Sequence, residues 1–312
     1  MTLGVGLVGF GVAGRRHAAA LEGSGVARIR SVLVPDRAAD LGPLRRSSGW
    51  AELLGDPEVE LVALCTPPGG RAELAEQALA AGKAVLLERP AACSPAEVDR
   101  LLAVSRRVGR PVGVMFQHRR LIPEQVLRWD WGPGATAVLH VSRFRPTAHY
   151  HRAGWRHDPA RALGGVGAHL GAHYLDLACQ VLGEPAAVHV VGRREVAAGI
   201  DSRIAGVVDY RGGATLGFAV TAESTVRVAR LEVLGADCRL LVQDGEVTTE
   251  TGGVIEDHPA LPGARLRLEV YRDMAEALAT GKPPRHCGLD AARAVTTILH
   301  AVTERGVLMT AR

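Results

Sequence analysis

The chain has 312 residues, which at ~150 residues per domain is enough for two domains. Hydrophobic residues make up 47% and aromatics only 4%, so Leu, Val and Ala must fill full-sized cores, and a disordered chain is excluded. The formal charge of +4 is spread along the sequence rather than gathered in a patch, which argues against nucleic-acid binding.

Leu3–Val8 is a short apolar run that ends in glycines and reads as a buried parallel strand. A helix is predicted over 15–21, a strand over 29–34, a helix over 37–46, and a strand over 61–65 bounded by Thr66-Pro67-Pro68. The next helix, 71–81, closes on Gly82. A strand follows over 84–87, then a helix over 95–108 between Ser94 as N-cap and Gly109 as stop, then a fifth strand over 112–116. Strands alternating with helices of this length form βαβ units on a parallel sheet.

Near Gln117 the pattern changes. A longer, half-alternating strand is predicted over 135–144 and a helix over 166–182. Hairpin punctuation then takes over. Segments 203–210 and 214–222 flank Arg211-Gly212-Gly213, 227–234 and 239–242 flank Gly235-Ala236, and 240–243 and 246–251 flank Asp244-Gly245, a type I′ signal. Helices over 266–279 and 289–303 close the chain. The expected fold class is therefore α/β. An N-terminal Rossmann-type doubly wound parallel sheet (1–119) precedes a C-terminal α/β domain with a mostly antiparallel open sheet (120–312), whose closing helices pack back toward the first domain.

Five widely spaced cysteines with no CxxC pair argue against a disulfide framework and fit a reducing compartment. The first residues lack a basic n-region, and no apolar run is long enough to span a membrane, so a cytoplasmic location is expected.

Gly9-Phe10-Gly11-Val12-Ala13-Gly14 is a G-x-G-x-x-G turn placed between a strand and a helix, the context in which it binds a dinucleotide. Gly9 permits the tight turn, Gly11 lets backbone approach the pyrophosphate, and Gly14 lets the helix pack against the strand. At the adenosine end, Asp36 could hold a ribose 2′-OH, or Arg37 could hold a 2′-phosphate. An arginine beside Pro35 favours NADP over NAD, and both remain open. Gln117, just past the fifth strand, is a further cofactor-binding candidate.

With these residues in view, the chain resembles the glucose–fructose oxidoreductase/inositol dehydrogenase (Gfo/Idh/MocA) family. The landmarks are GFGVAGRRH at 9–17, CTPP at 65–68, ERP at 88–90 and GGVGAHLGAHYLD at 164–176. The resemblance implies NAD(P)-linked hydride transfer at a carbinol or carbonyl carbon, mostly of sugars and cyclitols. It also implies a homodimer or homotetramer built through the open sheet. Thr66 and Pro67 fall where the family lines the nicotinamide ribose. Glu88-Arg89-Pro90 falls on its Glu-Lys-Pro motif, and Gly171, His173 and Asp176 match its Asp-x-Gly-x-His-x-x-Asp motif. Three positions depart from the pattern: the motif lysine is Arg89, the first motif Asp is His169, and the histidine often following the Thr-Pro-Pro turn is Arg71.

Hydride transfer to a carbonyl needs a proton donor and a positive group near the developing alkoxide. Arginine keeps its proton, so Arg89 can polarise an oxygen or clamp an anion but is a poor proton shuttle. His173 is the better acid/base candidate, and His169, four residues earlier, could orient it or the substrate. His169 and His173, with His149, His151 and His157 nearby, could also suit zinc. Leu170 stands where a metalloprotease helix would need Glu, and no metal is expected. The Arg- and His-rich segment 143–161 supplies Tyr150, Trp155 and Arg156 as candidate contacts to a small-molecule substrate, and its arginines would suit an anionic one. Two alternatives remain open: an imine reductase using the same hydride donor, or a cofactor-binding protein with non-redox or lost catalytic activity.

Overall fold

In the computed structural model residues 2–36, 38–151, 154–304 and 308–309 are described. They fall into two units. The first comprises Met1–Ala92, Ala96–Gln117 and Pro262–Ala292. Its elements run β1 (Leu3–Val8), α1 (Val12–Leu21), β2 (Ala27–Leu33), α2 (Trp50–Gly55), β3 (Leu61–Leu64), α3 (Arg71–Ala80), β4 (Ala84–Leu87), α4 (Pro95–Val108) and β5 (Val112–Val114). Every residue of β1, β3, β4 and β5 is buried, as strands covered by helices on both faces require. The sheet is parallel in the order β2-β1-β3-β4-β5. The chain steps from β1 one way to β2 and the other way to β3. That reversal opens a crevice beyond the strands' carboxyl ends, where doubly wound sheets bind ligands.

The helix expected over 37–46 does not form across its described residues, and Arg37 itself lies outside them. Asp36 Oδ1 accepts the Ala38 N–H at 2.9 Å and Asp40 Oδ1 accepts the Gly42 N–H at 2.8 Å, so the short acids satisfy the backbone in turns. Gly42-Pro43 then bars helical continuation. The chain instead runs beside β2, where Arg46 bridges to Val32.

The second unit comprises Cys93–Pro95, His118–Leu261 and Arg293–Arg312. It opens with β6 (Thr136–Ser142) and the short helices α5 (Ala148–His151) and α6 (Pro159–Ala162). A π-helical turn, Gly167–Gly171, leads into α7 (Ala172–Leu182). Then come β7 (Pro185–Ala197), β8 (Ile200–Tyr210), β9 (Thr215–Thr221), β10 (Val228–Leu234), β11 (Cys238–Gln243), β12 (Glu246–Thr251) and β13 (Val254–His258). At the β11–β12 turn Asp244 and Gly245 have φ of 51° and 98°, the positive pair that a type I′ turn demands. The following helix, α8 (Gly263–Thr280), belongs to the first unit, where Val270, Tyr271 and Met274 join the core around Leu3, Val5, Leu61 and Leu86. Helix α9 (Arg293–Thr303) and β14 (Leu308–Met309) return to the second.

The second sheet has the order β13-β12-β11-β10-β6-β9-β8-β7-β14. Its pairing is antiparallel except between β6 and β9. Along β6, Ala137, Leu139 and Val141 are buried, and Thr136, Val138 and His140 are exposed on the other face. Helices α7 and α9 lie against this sheet, α7 on β6 and β10 and α9 on β7.

Candidate functional site

The glycine turn joins β1 to α1. A Cβ on Gly14 would lie 2.2 Å from the Gly9 carbonyl oxygen, so the helix approaches the turn more closely than any side chain allows. A Cβ on Gly11 would meet no heavy atom within 4 Å. Gly11 is also the N-cap of α1, which has no side-chain cap and no acid in its first turn. The first N–H groups of the helix and its positive dipole end are thus left to an outside anion. This is the cradle that a pyrophosphate requires. Phe10 is buried under the Arg15 guanidinium, which sits 4.9 Å from the ring centroid, while Val12 is exposed and Ala13 half-buried. Asp36 is exposed with Oδ1 in its local turn, and Arg37, its competitor for the ribose, lies outside the described residues.

Beyond the carboxyl ends of β3 and β4 lie Thr66-Pro67 and Glu88-Arg89. The Oγ1 of Thr66 and the Oε1 of Gln117 are buried without a hydrogen-bond partner among the described residues, as groups awaiting a ligand would be. Arg71 is buried. Its guanidinium donates to the carbonyls of Thr66, Glu88 and Pro90, pinning both turns together. Arg89 is half-buried.

Glu88 turns inward. Its Oε1 accepts from His17 Nε2 at 3.1 Å and its Oε2 accepts the Arg89 N–H at 3.1 Å. The other ring nitrogen, His17 Nδ1, lies 2.5 Å from the Tyr271 hydroxyl. Burial lowers the His17 imidazole below its ordinary value, against the pull of Glu88. Burial would raise the Glu88 carboxyl, but the His17 hydrogen bond and the charges of Arg89 and Arg267 outweigh it and bring it down to about 2.

In the second unit, the predicted helix over 166–182 begins as the π-helical turn that carries His169. Such turns widen a helix locally and recur at functional sites. The turn is held by Asp201 at the start of β8, whose Oδ1 accepts the Gly165 N–H at 3.0 Å and whose Oδ2 accepts the Gly167 N–H at 3.2 Å. A Cβ on Gly165 would fall 1.9 Å from the Asp201 carbonyl oxygen.

His173 stacks on His118, with ring centroids 4.1 Å apart and planes inclined by 24°. His169 meets Trp155 edge-on at 5.6 Å, and Arg156 lies 4.5 Å over the Trp155 ring. Tyr150 is buried with Ala162 and Ile200, and burial pushes its hydroxyl up to about 12. Its Oη has no hydrogen-bond partner among the described residues. Asp176 is fully buried in a bidentate pair with Arg119, at 2.8 Å from Nε and 2.6 Å from Nη2. Among the described residues no three His, Cys, Asp or Glu side chains gather as a metal site.

No motif in the sequence marks His118, Arg119, Asp201 or Tyr271, and none gives His17 a role of its own. His17 alone carried a local signal, being a polar residue on the buried stripe of α1 with Gly14 and Leu21. The others acquire their partners only through the fold.

Residues 3–116 match a family model described as oxidoreductase family, NAD-binding Rossmann fold, and residues 134–241 match the GFO/IDH/MocA C-terminal domain. The uncharacterized oxidoreductase YdgJ of Escherichia coli (strain K12) is 30% identical over 200 residues, 60% of this chain and 55% of that protein. Inositol 2-dehydrogenase 1 of Saccharopolyspora erythraea is 36% identical over 137 residues, 40% of each chain. Against these two curated relatives the chain therefore aligns over about half of their length. A solved structure of levoglucosan dehydrogenase in complex with NADH superposes with a TM-score of 0.83 over 97% of this chain and 96% of that one, at 17% identity. Among the described residues no helix is long and apolar enough to cross a membrane.

Proposed function

The chain belongs to the Gfo/Idh/MocA oxidoreductase family, and from that premise we propose that it is an NAD(P)-dependent dehydrogenase or reductase acting at a polar carbonyl or carbinol carbon of a sugar-, cyclitol- or keto-acid-like substrate. The observation that carries this reading is the uncapped, acid-free start of α1, with Gly11 facing open space. The turn 9–14 receives the pyrophosphate, and Thr66, Pro67, Glu88, Arg89 and Gln117 serve the nicotinamide side. Asp36 or Arg37 meets the adenosine ribose, and an arginine in that place inclines the choice toward NADP. When bound, the cofactor supplies or takes up a hydride.

The chain's own residues handle the oxygen and its proton. Arg89 steadies the reacting oxygen with a charge it cannot give away. His173 gives or takes the proton, and its stacked neighbour His118 fixes the ring plane. His169 and Trp155, with Arg156 and Tyr150, orient the substrate. None of the five cysteines is paired in a disulfide among the described residues, which supports a cytoplasmic location. The test is titration with NADH and NADPH, followed by absorbance assays on polyols, ketoses, keto acids and cyclic imines. Tight cofactor binding with turnover of a polyol or ketose is expected. Turnover of imines alone, or binding with no turnover across the panel, would overturn the assignment.

We further propose that the open face of the second sheet receives a second copy of the chain. Across its middle, Val207, Gly217 and Val138 lie in register on adjacent strands, as do Ala205, Ala219 and His140. This mostly small and apolar row, with His140 within it, gives way at one side to Arg230, Glu232, Arg239 and Glu250, where opposite charges can meet across a two-fold axis.

A further inference from the structure

Helix α1 starts at the phosphate turn and buries Gly14, His17 and Leu21 on one stripe. An imidazole in that stripe is costly unless both ring nitrogens are satisfied. At 1% exposure His17 meets that condition with two long-range partners, Tyr271 on α8 and Glu88 at the end of β4. The protons can be assigned. The Glu88 carboxylate can only accept, so the single proton of the neutral ring sits on Nε2, and Nδ1 accepts from the Tyr271 hydroxyl. Glu88 Oε2 is then free to accept the Arg89 N–H.

We propose that His17 is a positioning residue for the Arg89 turn, a hydrogen-bonded strut that ties the helix receiving the pyrophosphate to the backbone at the nicotinamide side. The proposal rests on reading the first unit as a dinucleotide site. The strut is two hydrogen bonds long, from His17 Nε2 to Glu88 and from Glu88 back to the Arg89 N–H. Arg71 holds the carbonyls on either side of the same turn, so the main chain around Arg89 is fixed from two directions. The charged and titratable groups around His17 and Glu88 are Cys65 from the end of β3, Arg71 from α3, Arg89, and Arg267 and Tyr271 from α8. Burial keeps the Cys65 thiol and the Tyr271 hydroxyl protonated, which leaves one arrangement of protons through the neutral range.

The test compares two probes on the full chain, NADH and ADP-ribose, which lacks only the nicotinamide. His17→Leu keeps the apolar stripe filled and removes both hydrogen bonds. His17→Gln keeps a donor for Glu88 and an acceptor for Tyr271. His17→Leu should weaken NADH by ~10-fold and ADP-ribose by less than ~2-fold, and His17→Gln should recover most of the loss. Equal weakening of both probes, or no change in either, would overturn the proposal. If His17→Leu fails to fold, nitrogen-15 spectra of the unaltered protein decide. A neutral Nε2–H tautomer that does not titrate from pH 8 to 5 is expected, and an ordinary titration or an Nδ1–H tautomer overturns it. A protein that passes these tests yet turns over no substrate would sink the catalytic reading and leave the strut standing.

Discussion

In the proposed mechanism, Arg89 holds the reacting oxygen and His173 moves the proton. The guanidinium stays charged at any working pH, and that reading gives the proton transfer to the imidazole. His173→Ala should therefore lower kcat by ~10²-fold or more with a smaller effect on NADH binding, as read from steady-state rates and fluorescence titration. Unchanged turnover would remove His173 from the mechanism. Protons also enter folding through the His17–Glu88 pair. The folded state refuses a proton at His17 that the unfolded chain accepts near its ordinary value of 6.5. Stability is thus present above that value and lost as pH falls below it. Glu88 repeats the pattern lower, between its ordinary 4.5 and about 2. Urea unfolding at pH 7.5 and 5.5 should show a fall that His17→Leu reduces, and an equal fall in the variant would show that His17 is not its source. The phosphate turn was legible in the sequence because pyrophosphate chemistry fixes its spacing. The strut was not, because Glu88 lies 71 positions and Tyr271 254 positions from His17, and only the fold closes such distances.

Elements explain why a readable helix was also a misread one. The apolar periodicity over 166–182 announces a helix, but the widened turn at its start depends on Asp201, 36 positions from Gly165. The 13-residue strand β7 escaped notice because Arg193, Arg194 and Glu195 and its several register shifts break the alternation that marks a strand. The helix expected over 37–46 failed for the opposite reason, since its acids were better used in turns than in a helix. Gly165 gives the clearest element-scale prediction. The 1.9 Å approach to the Asp201 carbonyl leaves no room for a methyl group. Gly165→Ala must push the π-helical turn away from β8 or strain both, so it should lower the unfolding midpoint and, by displacing His169 and His173, lower kcat while NADH binding holds. A midpoint within about 1 °C of the parent would mean that the turn yields without cost. Arg119→Ala acts on the same helix from another side. It leaves the Asp176 carboxylate buried without its cation and should cost about 3–5 kcal/mol in urea unfolding, a loss that Arg119→Lys should partly restore.

At the scale of the molecule, a nine-stranded sheet with helices on one face has a second face to account for. Val138 stands 63% exposed at the middle of that face, between Gly217 and Glu232 on the neighbouring strands. Two sheet faces can pack on each other, and a stable pair needs ~1,600 Å² of total burial. The edge strand β13 carries Glu256 and Asp257, charges that discourage edge-to-edge pairing at that side of the sheet. A two-fold interface repeats every substitution, so Val138→Arg would place two long charged side chains in the proposed contact at once. Light scattering behind size-exclusion chromatography should therefore show a dimer or tetramer for the parent chain and a monomer for Val138→Arg. The first unit should be untouched, so the variant's affinity for ADP-ribose should match the parent's within ~2-fold. A monomeric parent, or a variant that assembles as before, would show that the open face has another use.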